Sequence, residues 1–101
     1  MEDRVEYKGF YIDRTETGYR VCRIEDSNIH THLRNLNPCY KLIDNVNRDK
    51  IPRRCSAYYL TSHMRLSHNK DYKKKIEQML SVRAKKTHQN FYNKSGFNKR
   101  K

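Results

Sequence analysis

Residues 27–46, SNIHTHLRNLNPCYKLIDNV, carry His30 and His32 on either side of Thr31, with Cys39 and Asp44 further along. These are residue types that ligate zinc. Alternate residues of a strand share a side, so His30 and His32 could supply two ligands, with Cys55 or Asp44 as a third. Zinc takes three or four converging groups, and no second pair at ligand spacing completes the set. The same stretch also suits surface histidines on a short strand that leads into a capped helix, and that is the reading adopted. Residues 62–75, SHMRLSHNKDYKKK, hold His63, His68 and Asn69, the residue types of a His-Asn metal nuclease. Asp71 and Glu77 are the only carboxylates of that half of the chain, six residues apart and off a common helix face, so a one- or two-metal site is poorly supplied. The stretch serves better as a phosphate grip, in which Asn69 opens a helix whose free N–H groups are surrounded by Arg65, Lys70, Lys73 and Lys74. A capped helix with a solvated lysine face is the plainer alternative. Neither constellation implies a cofactor or a metal, and the function expected is non-catalytic.

Several elements must position these residues. VEYKGFYIDR (5–14) and GYRVCRI (18–24) are rich in β-branched and aromatic residues and are separated by a turn at TETG, which predicts a β-hairpin. Gly9 inside the first segment suggests a bulge, leaving Phe10 and Ile12 as better core candidates than Tyr7. The opposing face comes from Cys22 and Ile24 or from Tyr19 and Val21. IHTHL (29–33) alternates Ile29, Thr31 and Leu33 with the two histidines, predicting a third strand whose histidines face away from the apolar set. Asn37 as N-cap and Pro38 at the first helical position predict a helix with Cys39, Leu42, Ile43 and Val46 on one stripe, ended at Ile51-Pro52. CSAYYLTSHMRLS (55–67) reads as a second helix capped by Ser56, with Ala57, Leu60 and Met64 at helical spacing. KDYKKKIEQMLSVRAKK (70–86) reads as a third, capped by Asn69, with Tyr72, Ile76, Met79 and Leu80 inward; the two helices pair as a hairpin.

The fold class expected is thus α+β: a small three-stranded antiparallel sheet packed by one helix (1–50), a basic helical hairpin of the same domain (51–88), and a basic aromatic tail (89–101), flexible unless bound. With 101 residues, 35 % of them hydrophobic and 34 % charged, the core is small and a deep substrate pocket is not expected.

Charge separates the halves. Residues 1–50 carry nine Lys/Arg and nine Asp/Glu, while residues 51–101 carry fourteen Lys/Arg against Asp71 and Glu77, which is the whole net charge of +12. A neutral scaffold joined to a strongly basic half points to a polyanionic partner, nucleic acid (DNA or RNA) or a host nucleoprotein complex. The residues expected to engage it are Arg53, Arg54, Arg65, Lys70, Lys73, Lys74, Lys75, Arg83, Lys85 and Lys86, with Lys94, Lys99, Arg100 and Lys101 in the tail. Tyr58, Phe91, Tyr92 and Phe97 add rings that can stack on unpaired bases; Tyr58 shares a side of the second helix with Ser62 and Arg65. A protein-binding inhibitor that docks its basic face on an acidic surface is the alternative, and a small nuclease the third. Cys22, Cys39 and Cys55, an odd number without a C-x-x-C pair, read as reduced thiols. The acidic start and the lack of any long apolar run lead to the expectation of a cytoplasmic protein without membrane contact.

YKGFYI, TGYRV and NLNPCYKLID together resemble a β-β-β-α unit that recurs in short phage and mobile-element proteins of Gram-positive bacteria, and this unit is loosely similar to the AP2-type arm-binding domain of phage integrases. The resemblance covers under half the chain. It implies a phage-type protein acting on host defence or host nucleic-acid machinery, including an anti-CRISPR-like inhibitor. By the integrase analogy Arg14, Arg20 and Arg23 face DNA.

Overall fold

Lys8 (φ 45°) and Gly9 (φ 93°) both take positive φ and turn the chain back on itself where the sequence suggests a bulge. Two such residues in succession make the mirror-image turn whose twist suits an antiparallel hairpin. The single strand expected over residues 5–14 is therefore two, β1 (Arg4–Tyr7) and β2 (Phe10–Arg14), followed by β3 (Tyr19–Arg23) and β4 (His30–Leu33). The computed structural model describes the backbone of residues 3–95 and the side chains of residues 3–84. In it the strands form one antiparallel sheet in the order β1-β2-β3-β4, with α1 (Leu36–Asn47), α2 (Ala57–Leu66) and α3 (Lys70–Ser95) following. The class is α+β as expected, with four strands instead of three.

Pairing of Val5 with Ile12, Ile12 with Val21 and Val21 with Thr31 assigns these residues to one face of the sheet. Phe10, Ile12 and Val21 are buried there against Cys39, Leu42, Ile43 and Val46 of α1, and Tyr7, Tyr19 and Leu33 are half-buried around them. Tyr19 and Val21, not Cys22 and Ile24, thus supply the opposing side of the core. On the other face run Arg4, Asp13, Arg20 and His32 in one cross-strand row, and Glu6, Tyr11, Cys22 and His30 in the next. Arg4 grips Asp13 with two bonds of 2.6 and 3.0 Å and lies over the Tyr11 ring. Gly18 has φ 157°, a conformation that L side chains rarely adopt, and a Cβ there would also run into the Leu33 carbonyl oxygen.

Helix α1 begins two residues earlier than expected. Its N-cap is Asn35, and Pro38 sits in the first turn, where the N–H groups have no intrahelical partner in any case. It also ends before Ile51-Pro52. Asp49 takes φ 54°, Lys50 N–H donates to Asn45 O (2.8 Å) and Asp49 N–H to Val46 O (3.3 Å), the two bonds of a Schellman stop. The helix is thus terminated by its own C-terminal backbone, and the proline lies further on.

Helix α2 starts where the sequence predicts, with Ser56 Oγ accepting the Tyr59 N–H at 3.1 Å. Its inward face differs from the expected stripe: Leu60, Ser62, His63 and Leu66 are buried, Ala57 is exposed and Met64 half-buried. Polar residues can face inward because each finds a partner. Ser62 donates to the Tyr58 carbonyl (3.1 Å), so Thr31 of β4 is the donor in the 2.8 Å Thr31–Ser62 bond. Helix α2 also joins two cores, giving Leu66 to the sheet cluster and Leu60 to a second one with Tyr72 and Ile76 of α3. The helical hairpin expected from the sequence is present as α2 against α3. Helix α3 continues to Ser95, so its backbone is helical over the first part of the segment assigned to the tail. Residues 96–101 lie outside the described residues.

Candidate nucleic-acid interface

The two histidine constellations resolve first. His63 is fully buried between α1 and α2, its Nδ1–H donating to the Tyr59 carbonyl (2.7 Å) and its Nε2 accepting from Asn45 Nδ2 (3.1 Å). Burial holds its pKa below the ordinary value. His68 lies instead against Glu25 across from α3 (3.0 Å), and Asn69 Oδ1 caps α3 by accepting the Tyr72 N–H at 3.1 Å. His63, His68 and Asn69 thus have three separate structural partners. His30 and His32 do share the outer face of the sheet, ring centroids 5.3 Å apart. Their suggested third ligands lie elsewhere: Asp44 accepts from Tyr7 (3.0 Å) and Lys8 (3.1 Å), which hold its pKa down, and Cys55 precedes α2 on the helical side. No three His, Cys, Asp or Glu side chains among the described residues could hold a metal ion together.

Among the described residues, three acids of the first half form ion pairs. Asp13 meets Arg4 and Arg20, Asp44 meets Lys8, and Glu25 meets Arg23 and His68. Arg23 also donates to the Leu66 carbonyl (2.6 Å) and lies over the Phe10 ring on the helix side of the sheet. Of the three arginines named by the integrase analogy, only Arg20 therefore points to the open sheet face, and it is tied to Asp13 and to the Ser27 carbonyl.

The basic half is arranged differently. Tyr72 and Ile76 anchor α3, with the Tyr72 hydroxyl donating to the Lys50 carbonyl (2.6 Å), so burial raises that phenol well above its ordinary pKa. With 100° per residue, Lys70 and Lys74 then face away from the body, and Lys73 and Lys75 flank them on opposite sides. Lys70, Lys74 and Lys75 are exposed and Lys73 is half-buried. The lysines wrap the free circumference of the helix in place of a single flat face. Lys70, Lys73 and Lys74 do meet, with Met64 and Glu77, around a shallow hollow of about 310 Å³. Arg65, expected in that grip, is exposed on α2 nearer His32, whose pKa is lowered by partial burial and then by His30, Arg20 and Arg65.

Arg53 and Arg54 are exposed in the α1–α2 connection, Arg54 at φ 55°. Arg83 has a structural task, donating to the Cys55 carbonyl at 2.7 Å and pinning α3 to that connection. Tyr58 stays outside the core, 52 % exposed, while Ser62, expected beside it on the outer side, is buried. The side chains of Lys85, Lys86, Phe91, Tyr92 and Lys94, and all of Phe97, Lys99, Arg100 and Lys101, lie outside the described residues.

The sequence reading passed over Arg34 and Lys41, both exposed, which line a trough with Tyr58 where β4, α1 and α2 meet. Both belong to the electrically neutral half, so a count of charge by segment hides them. Among the described residues no helix is long and apolar enough to cross a membrane. No protein family, curated protein or solved structure matches the chain.

Proposed function

We propose that this protein binds nucleic acid, alone or within a nucleoprotein complex, without catalysing a reaction on it. The observation that carries the reading is the crowding of lysines around α3. The acids of residues 1–50 that form ion pairs do so within the body, while Lys70, Lys73, Lys74 and Lys75 surround α3 with only Asp71 and Glu77 among them. Such a helix lowers its self-repulsion by taking up phosphates and releasing their counterions. Docking of the same basic surface on an acidic protein is the competing reading. In a phage setting, suggested by the β-β-β-α resemblance, the partner is host nucleic-acid machinery and the effect a modulation of host defence.

The test is fluorescence anisotropy with an oligonucleotide of about 20 nucleotides at salt between about 50 and 300 mM. Neutralisation of several phosphates gives a log–log slope of about −4 to −7. A flat dependence removes the electrostatic basis of the reading. A pull-down that keeps its partner after nuclease treatment favours the acidic protein surface instead.

A further inference from the structure

Tyr58 is a large exposed ring whose hydroxyl is nonetheless fixed: it donates to the His32 carbonyl of edge strand β4 at 2.6 Å. An exposed tyrosine ordinarily samples several rotamers, whereas this one is held at both ends, by α2 through its backbone and by β4 through its oxygen. Beside it the surface is hollow. One cavity of about 380 Å³ is lined by Arg34, Pro38, Lys41, Cys55 and Tyr59 among others; a second of about 490 Å³ by Thr17, His32 and Arg34. Leu33, Arg34 and Tyr58 line both, so the two hollows adjoin along these residues as one trough. No carboxylate lines either part, and among the described residues none is paired with Arg34 or Lys41. Arg20 lies directly across the sheet from His32, and Arg65 approaches the same histidine from α2.

We infer that this trough is a seat for single-stranded nucleic acid, in which an unpaired base stacks on Tyr58 and the flanking phosphates lie on Arg34 and Lys41. The inference rests on the nucleic-acid reading above and adds the strand state of the ligand and the place where it is read. Stacking on one face of a ring needs a base freed from its partner, which a duplex does not offer, and a ring already oriented loses little freedom on binding. The lysines of α3 contribute charge to either form, whereas the trough favours one. The apolar floor with a cationic rim suits a base with its phosphates better than a plain acidic peptide, which has no flat ring for Tyr58.

The experiment compares a labelled oligo-dT of about 12 nucleotides, within the footprint of small single-strand binders, an oligo-U of the same length and a duplex of the same length. The full chain should bind both single strands more tightly than the duplex. Tyr58→Ser should weaken single-strand binding about tenfold, equivalent to about 1.4 kcal/mol, and leave the duplex unchanged, while Tyr58→Phe stays within about threefold of the parent. Arg34→Gln with Lys41→Gln should weaken single-strand binding to a similar degree without touching the core, which covers any folding defect of Tyr58→Ser. Cys55 gives a local readout, since it lines the trough and is the one cysteine not fully buried. Saturating oligo-dT should slow its alkylation at least about tenfold. Unchanged single-strand affinity in both variants, with unprotected Cys55, overturns the trough while leaving α3 as a phosphate binder; so does a poly-glutamate that protects Cys55 as well as oligo-dT does. Absence of binding to any oligonucleotide at low salt overturns both readings.

Discussion

His63→Phe tests a polar joint built on a fully buried histidine. The phenyl ring is larger than the imidazole, which adds a packing cost independent of pH, and it gives Asn45 no acceptor, while the Tyr59 carbonyl loses only a second donor, since the helix backbone still serves it. One orphaned side-chain N–H in this part-buried site costs about 1 kcal/mol, the low end of the range for a buried group. The protonation equilibrium acts in the opposite direction. In the folded chain burial keeps His63 neutral below its ordinary value of 6.5, whereas the unfolded chain protonates there. Between the folded and unfolded pKa values the unfolded state binds more protons, so stability rises with pH across that window and is lost as pH falls through about 6.5. For a group that stays neutral when folded, the loss by pH 5.5 is about 1.4 kcal/mol. His63→Phe escapes this loss. The gap between parent and variant should therefore be at least about 1 kcal/mol at pH 7.5 and narrow by up to about 1.4 kcal/mol at pH 5.5. With a urea m-value of roughly 1–3 kcal/mol/M, the two midpoints should approach each other by at most about 0.5–1.4 M. His32 and Glu25, whose pKa values are both lowered in the folded chain, are common to the two proteins and cancel from the difference. Midpoints that fall in parallel from pH 7.5 to 5.5 would mean that His63 titrates as if in water, and the burial argument fails.

Gly18→Ala should destabilise by about 1–3 kcal/mol in urea denaturation, because φ 157° disfavours a side chain and its Cβ runs into the Leu33 and Arg34 backbone; an unchanged midpoint would show that the turn and β4 yield freely. Asp49→Gly should stabilise by about 0.5 kcal/mol, read as a rise in urea midpoint, since the Schellman stop holds that residue at φ 54°. Truncation after Lys86 should leave the melting temperature nearly unchanged, because residues 87–101 carry no apolar stripe for the core. The same truncation should weaken oligonucleotide binding about tenfold, about 1.4 kcal/mol, by removing Lys94, Lys99, Arg100 and Lys101. A much lower melting temperature would show that the removed segment packs on the core.

What could be read from the sequence was what local chemistry decides. The Cys39-Leu42-Ile43-Val46 stripe, the Ser56 and Asn69 caps and the inward Tyr72 and Ile76 are each set by spacing or by a side chain bonding a backbone three residues away, and each is found in the structure. Segregation of charge into residues 51–101 is likewise a property of the chain alone. Two misreadings were still local: the Lys8-Gly9 turn and the Asp49 helix stop need positive φ at non-glycine residues, which Lys and Asp adopt only when the surrounding bonds favour it. The rest belonged to tertiary structure. Ser62 and His63 look like surface residues until Thr31 and Asn45, thirty-one and eighteen residues away, supply the bonds that let them be buried. Arg23 and Arg83 look like ligand-binding charges until the Leu66 and Cys55 carbonyls claim them. The trough exists only because three elements distant in sequence converge on Tyr58, and a one-dimensional pattern carries no distance between residues that fold together.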